Sequence, residues 1–204
     1  MSASEILVTR GTGSLGRRVT ERLRAAGRES RVLSRSGRPG TVHGDLSTGE
    51  NLEAAVRGAH TIVLCATNPF KASQTDVGGT ELRLLDRLPV VMPIPRGFRL
   101  QPMDAGEAAD RLVELALSEP AGRVPDVGGP EVLTSEELAR AYLGAAGRGK
   151  RLVGVPLPGK AARAFREGAQ LCPDGAYGTI RWEEFLREKL HGQGTNEAAK
   201  QGIS

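Results

Sequence analysis

Ile6-Leu-Val-Thr-Arg-Gly-Thr-Gly-Ser-Leu-Gly16 reads as a short apolar strand, a glycine-rich turn and the first turn of a helix. Glycines at such a turn let the main chain approach a pyrophosphate closely. The helix that follows offers free N–H groups and the positive end of its dipole. The spacing is incomplete: Arg10 stands where the first glycine is expected, leaving Gly11, Gly13 and Gly16. If position 10 needs a positive φ, a side chain there costs roughly 1–2 kcal/mol locally. Its bulk would also crowd the approach to a phosphate, whereas its charge would favour one.

The segments around this turn fit a strand–helix–strand unit. Ile6–Thr9 is apolar throughout, as suits a central parallel strand covered on both faces. Leu15, Val19, Leu23 and Ala26 recur at helical spacing, and Gly27 ends that helix. Arg31-Val-Leu-Ser-Arg35 is the next strand, closing a unit of about thirty residues. At its end Ser34 and Arg35, with Arg38 beyond, occupy the place where an acidic residue would bind a ribose 2′-hydroxyl. Arginine there suits a 2′-phosphate, which favours NADP over NAD. Polar loop residues without a ligand are the plainer reading of the same arginines.

Further on, a short strand is expected over Val42–Leu46, a helix over Glu50–Arg57, and an apolar strand over Thr61–Ala66 running into Thr67-Asn-Pro69. Asp45, at a strand end, either touches an adenine or caps a turn. A helix is expected over Asp76–Leu88. Val90–Gly97 is apolar but interrupted by prolines and cannot be a central strand. Phe98–Met103 and Arg123–Val127 read as strands, Ala105–Ser118 as an amphipathic helix headed by Asp104, and Thr134-Ser-Glu-Glu137 as a capping box opening another helix. Leu152–Leu157 reads as a strand, with helices over Gly159–Glu167 and Arg181–Leu190. Residues 191–204 are expected to be a disordered tail.

Composition bounds the function classes. The chain has 204 residues, enough for one domain with a small appendage, and its 3% aromatic content means an aliphatic core. A net charge of +4 is spread along the sequence, which speaks for a solvated surface and against a nucleic-acid partner. No apolar run approaches the ~18 residues of a membrane span, and no signal segment is visible, so a cytoplasmic location is expected. Cys65 and Cys172 show neither disulfide nor zinc spacing, and Cys65 reads as a small core residue. No metal ligand set is expected. No Ser/His/Asp arrangement is visible. A Tyr followed four residues on by Lys is absent too: Tyr142 is followed there by Ala146 and Tyr177 by Arg181.

Taken in order, Leu7–Gly16, Val32-Leu-Ser-Arg35, Gly44-Asp-Leu46 and Thr61–Thr67 resemble atypical short-chain dehydrogenase/reductases, most nearly the NmrA-like NAD(P)-binding group. Phe98–Asp104, Ala108–Leu112 and Gly129–Thr134 resemble the C-terminal part of the same proteins. The resemblance implies an α/β fold, a partial Rossmann-type doubly wound parallel sheet with a small C-terminal α/β portion. Residues 1–88 would form the incomplete dinucleotide-binding part and residues 89–190 the C-terminal part of the same domain. It further implies that Gly11, Thr12, Gly13, Ser14, Leu15 and Gly16 hold the pyrophosphate. Ser34 and Arg35 would meet the adenosine ribose or its phosphate, Asp45 and Leu46 would flank the adenine, and Ala66 and Thr67 would lie near the second ribose.

Two departures from the family pattern stand out. One is Arg10. The other is that Glu81 runs directly into Leu82–Pro89, which resembles a much later segment, so two strand–helix units of roughly 60 residues are missing. The strand at Thr61 would then become a sheet edge open to self-association. Three functions follow as expectations: a cofactor-binding or redox-sensing module without a catalytic residue pair; an NAD(P)H-dependent oxidoreductase acting on a small carbonyl or quinone; or a degenerate chain that binds nothing.

Overall fold

The structure, a computed structural model, describes residues 6–65 and 90–190. The helix expected over 76–88, the tail from His191, and the site residues Ala66 and Thr67 lie outside the described residues. The described chain divides into two units, one made of residues 6–65 and 105–124, the other of 90–104 and 125–190.

The first unit is built on β1 (Ile6–Thr9), α1 (Ser14–Ala25), β2 (Ser30–Ser34), β3 (Thr41–His43), α2 (Leu52–Val56), β4 (Thr61–Leu64) and α3 (Ala105–Leu117). The four strands run parallel in the order β3-β2-β1-β4. Each central residue of β1 has a partner on both sides: Val8 pairs with Val32 of β2 and with Val63 of β4. Alternation along the strands divides the core into two layers. Ile6, Val8, Val63 and Cys65 face Val19 and Leu23 of α1 and Ala109 of α3, whereas Leu7 and Leu33 face Ala55 of α2. Helices on both faces make the sheet doubly wound, and the apolar character of β1 follows from its burial on both. Val8, Val19 and Leu23 are fully excluded from solvent, each worth about 1.5–3 kcal/mol of burial. Arg22 of α1 fastens α3 through the Asp110 carboxylate, with Nη2 to Oδ2 at 3.3 Å.

The expected edge is present among the described residues. β4 has β1 on one side only, and its alternate side chains Ile62 and Leu64 are 46% and 65% exposed.

The second unit contains β5 (Val91–Pro95), β6 (Arg99–Leu100), β7 (Leu133–Thr134), α4 (Ser135–Ala145), β8 (Arg151–Val155), α5 (Lys160–Glu167) and α6 (182–190). β5 pairs in parallel with β8, and β6 antiparallel with β7. The proline-interrupted stretch is thus a strand with a single described neighbour, a position that tolerates the missing amide hydrogens of Pro93 and Pro95. Met92, Ile94, Leu138, Tyr142, Trp182 and Leu186 form the centre of this unit's core. The capping box is complete: Glu137 N–H donates to Thr134 Oγ1 at 3.2 Å, and Thr134 N–H donates to Glu137 Oε2 at 2.7 Å. Trp182 Nε1–H donates to Leu138 O at 3.2 Å, tying α6 to α4.

Two strand readings are corrected. The strand expected over Phe98–Met103 is confined to Arg99–Leu100. Gln101, only 2% exposed, instead turns inward as a clamp. Its Nε2 donates to Gly129 O and Cys172 O at 2.9 and 3.1 Å, and its Oε1 accepts from Cys172 N–H at 2.9 Å. Arg123–Val127 forms no strand. Pro125 removes a ladder donor, and pairing begins only at Gly128, which bridges to Ala176.

Candidate dinucleotide site at the carboxyl end of the first sheet

Parallel register brings the carboxyl ends of all four strands of the first unit to one edge. Thr9 lies beside Leu33 and Leu64, and Ser34 beside His43. Ligands of open α/β sheets sit at this edge.

The glycine turn shows why Gly11 and Gly16 carry no side chain. A Cβ on Gly16 would stand 2.2 Å from Arg10 O, so the helix start packs directly on the turn's main chain. A Cβ on Gly11 would meet both methyls of Val32 at 2.7 Å, which fixes the turn against β2. Gly13 is the extended N-cap of α1, and its N–H donates to Arg10 O at 2.8 Å. Arg10 itself adopts φ +49, the left-handed conformation that a glycine would take without strain. The steric cost expected of Arg10 is therefore present, and its side chain is exposed.

With glycine at the N-cap, no side chain caps α1, and its first turn holds no acidic residue. The main-chain N–H groups of Ser14, Leu15 and Gly16 find no acceptor among the described residues, while Arg17 N–H closes the first turn on Gly13 O at 2.9 Å. Three open donors at a positive dipole end form an anion cradle. Thr12 is exposed on the turn.

The neighbouring strand ends carry the remaining expected residues. Ser34 Oγ lies 3.1 Å from Ser36 Oγ at the end of β2, followed by the exposed Arg35. Asp45 caps a turn: its Oδ1 accepts from Ser47 N–H at 2.7 Å, and its own main chain exchanges hydrogen bonds with Gly49 and Glu50. The amide hydrogen bond from Ser47 holds its carboxyl below the ordinary range, with Arg35 adding attraction. Leu46 beside it is 45% exposed, an apolar surface at the strand ends. The sheet edge thus gathers Gly11 through Gly16, Ser34, Arg35, Asp45 and Leu46.

Sequence reasoning missed Thr9. It is 1% exposed, and its Oγ1 accepts from Cys65 N–H at 3.0 Å. Where β1 leaves the sheet at Arg10, this hydroxyl keeps β4 attached, a bond worth about 1 kcal/mol. Threonine's ordinary place in a β-strand gave no signal of the role. Cys65 is a core residue as expected, and burial pushes its thiol up to about 11. Among the described residues no three His, Cys, Asp or Glu side chains gather as a metal site, and no helix is long and apolar enough to cross a membrane.

Solved structures share this fold. A short-chain dehydrogenase/reductase superfamily protein from Agrobacterium tumefaciens with bound NAD is 14% identical, with a TM-score of 0.60 over 96% of this chain and 99% of that one. UDP-glucose 4-epimerase from Thermus thermophilus in complex with NAD is 16% identical, with a TM-score of 0.58 over 91% and 97%. A human epimerase family protein with NADPH is 17% identical, with a TM-score of 0.58 over 91% and 99%. At these identities the likeness establishes the fold: a Rossmann-type α/β architecture with a parallel sheet. No protein-family model matches the sequence, and no curated protein matches it.

Proposed function

We propose that this chain is an NmrA-like cofactor-binding or redox-sensing module that takes the adenosine half of NADP(H) at the carboxyl end of the first sheet. The observation that carries this reading is the open anion cradle at the start of α1, formed by the unpartnered amides of Ser14, Leu15 and Gly16 over a turn in which Gly11 and Gly16 pack too closely for a side chain. The pyrophosphate rests on Gly11 through Gly16. Arg35, with Ser34 beside it, meets the 2′-phosphate, and Leu46 covers one face of the adenine while Asp45 holds the turn that positions it. Ala66 and Thr67 would complete the site toward the second ribose. When bound, the nicotinamide supplies hydride chemistry, and the residues above bind and orient the adenosine end.

A sensing role is favoured over turnover because no proton donor of the expected pattern is present. Tyr142 is 4% exposed within the apolar core of the second unit, and Tyr177 N–H donates to Gly128 O at 3.1 Å. Neither is followed four residues on by lysine. Among the described residues β4 pairs with β1 alone, which fits a sheet lacking the two central strand–helix units that would otherwise wall the nicotinamide side.

Fluorescence titration with NADPH and NADH, followed by assay on a panel of small carbonyls and quinones, tests the reading. Binding with preference for NADPH and no turnover is expected. Turnover would instead establish the oxidoreductase alternative, and absence of binding at about millimolar cofactor would leave the degenerate one.

A further inference from the structure

We infer that the second unit carries its own binding site for a small organic anion, in the cleft between the ends of β5 and β8 and the start of α4. The cleft has a volume of about 420 Å³. That lies within the range of small-molecule sites. Ile94 and Leu152 give it apolar lining, and Arg96, Thr134 and Glu136 give it polar lining.

Gly154 shapes the cleft. The aliphatic stem of Arg96 lies over it, with Arg96 Cβ and Cγ both 3.7 Å from where a Cβ on Gly154 would be, an ordinary contact distance, so the space beyond a Cβ there belongs to the cleft. Arg96 N–H bonds Val155 O at 2.9 Å, so the residue's main chain is anchored while its guanidinium has no acidic partner among the described residues. Glu136, the one carboxylate among the lining residues, is paired with Arg140 at 2.6 Å. The Glu136 main-chain N–H is also without an acceptor, whereas its neighbours Ser135 and Glu137 donate to Phe98 O and Thr134 Oγ1. An exposed guanidinium and an amide donor, both open and lining a cleft with apolar residues, match a carboxylate or phosphate group on an apolar body. The site draws on residues of the second unit alone and does not depend on the dinucleotide reading.

Amide chemical-shift mapping of the full chain with benzoate, phenyl phosphate and uncharged benzyl alcohol tests this. Benzoate or phenyl phosphate is expected to move the amides of Gly97, Glu136 and Gly154 saturably at about millimolar concentration, with benzyl alcohol far weaker. Arg96→Ala should weaken the anion about tenfold. Gly154→Val should abolish binding with the fold intact, because the added side chain starts at ordinary contact distance and suits a strand. Absence of saturable shifts, equal binding of the alcohol, or unchanged binding in Arg96→Ala would overturn the proposal. NADPH binding reads out separately, at the amides of Gly11 through Gly16.

Discussion

Gly16 packs against the main-chain carbonyl of Arg10 so closely that a Cβ would lie 2.2 Å from that oxygen. The atom in the way is backbone, so the helix start or the turn would have to move. Gly16→Ala should therefore destabilise the chain by about 2–4 kcal/mol in urea denaturation. Arg10→Gly should act in the opposite direction. Relief of the left-handed strain, roughly 1–2 kcal/mol, exceeds the extra chain entropy of glycine, about 0.5–1 kcal/mol. A net gain of about 0.5–1 kcal/mol is expected, and a loss larger than about 1 kcal/mol would contradict the strain assigned to φ +49.

Arg35 is the residue through which the proposed site would tell the two dinucleotides apart. Arg35→Ala should lower affinity for NADPH about tenfold while leaving NADH nearly unchanged, because only the former carries a 2′-phosphate. Equal losses for both, measured by fluorescence titration, would move Arg35 away from that phosphate.

Gln101 binds three main-chain groups with one buried carboxamide. Gln101→Leu keeps a comparable volume but strands Cys172 N–H and the carbonyls of Gly129 and Cys172. A loss of about 3 kcal/mol is expected in the unfolding transition. A change below about 1 kcal/mol would mean that water takes over the clamp.

Cys65 should resist alkylation. The residue is 6% exposed and its thiol is pushed up to about 11 by burial, whereas Cys172 is half-buried and its thiol is raised by burial and by Asp126. Iodoacetamide at about pH 8 should label Cys172 first, and Cys65 only on unfolding. The folded state keeps the Cys65 proton to higher pH than the unfolded state, whose thiol titrates near 9.0. Between these values the folded state binds more protons, so this residue's contribution to stability is lost as pH rises from about 9 to about 11. Cys65→Ala should flatten that part of the pH profile, and an unchanged slope would contradict the assignment.

The first unit is legible because its signals are local. An apolar strand, a glycine turn, a helix with Val19 and Leu23 on its inner face, and Gly27 at φ +71 all follow from nearest-neighbour chemistry. What is not legible depends on distant partners. Gly11 is needed because Val32 lies beneath it, and Gln101 leaves its strand because Cys172, far along the chain, offers both a donor and an acceptor. Pro125 speaks against a strand over Arg123–Val127, and the apolar Val124 and Val127 beside it, three residues apart, do not alternate as a half-buried strand would. The cleft beside Arg96 joins side chains from β5, α4 and β8, and no sequence spacing announces it. Asp45, at a strand end, suits either an adenine contact or a turn cap, and the Ser47 amide at 2.7 Å shows the cap.

Calorimetric titration of the full chain with NADPH is the most direct test of the cradle formed by Ser14, Leu15 and Gly16. A single saturable site with Kd in the micromolar to sub-millimolar range is predicted, of order −5 to −8 kcal/mol, and weakened by Gly13→Asp, which places a carboxylate at the mouth of the cradle. No heat at about millimolar NADPH, or binding that Gly13→Asp leaves untouched, would contradict it.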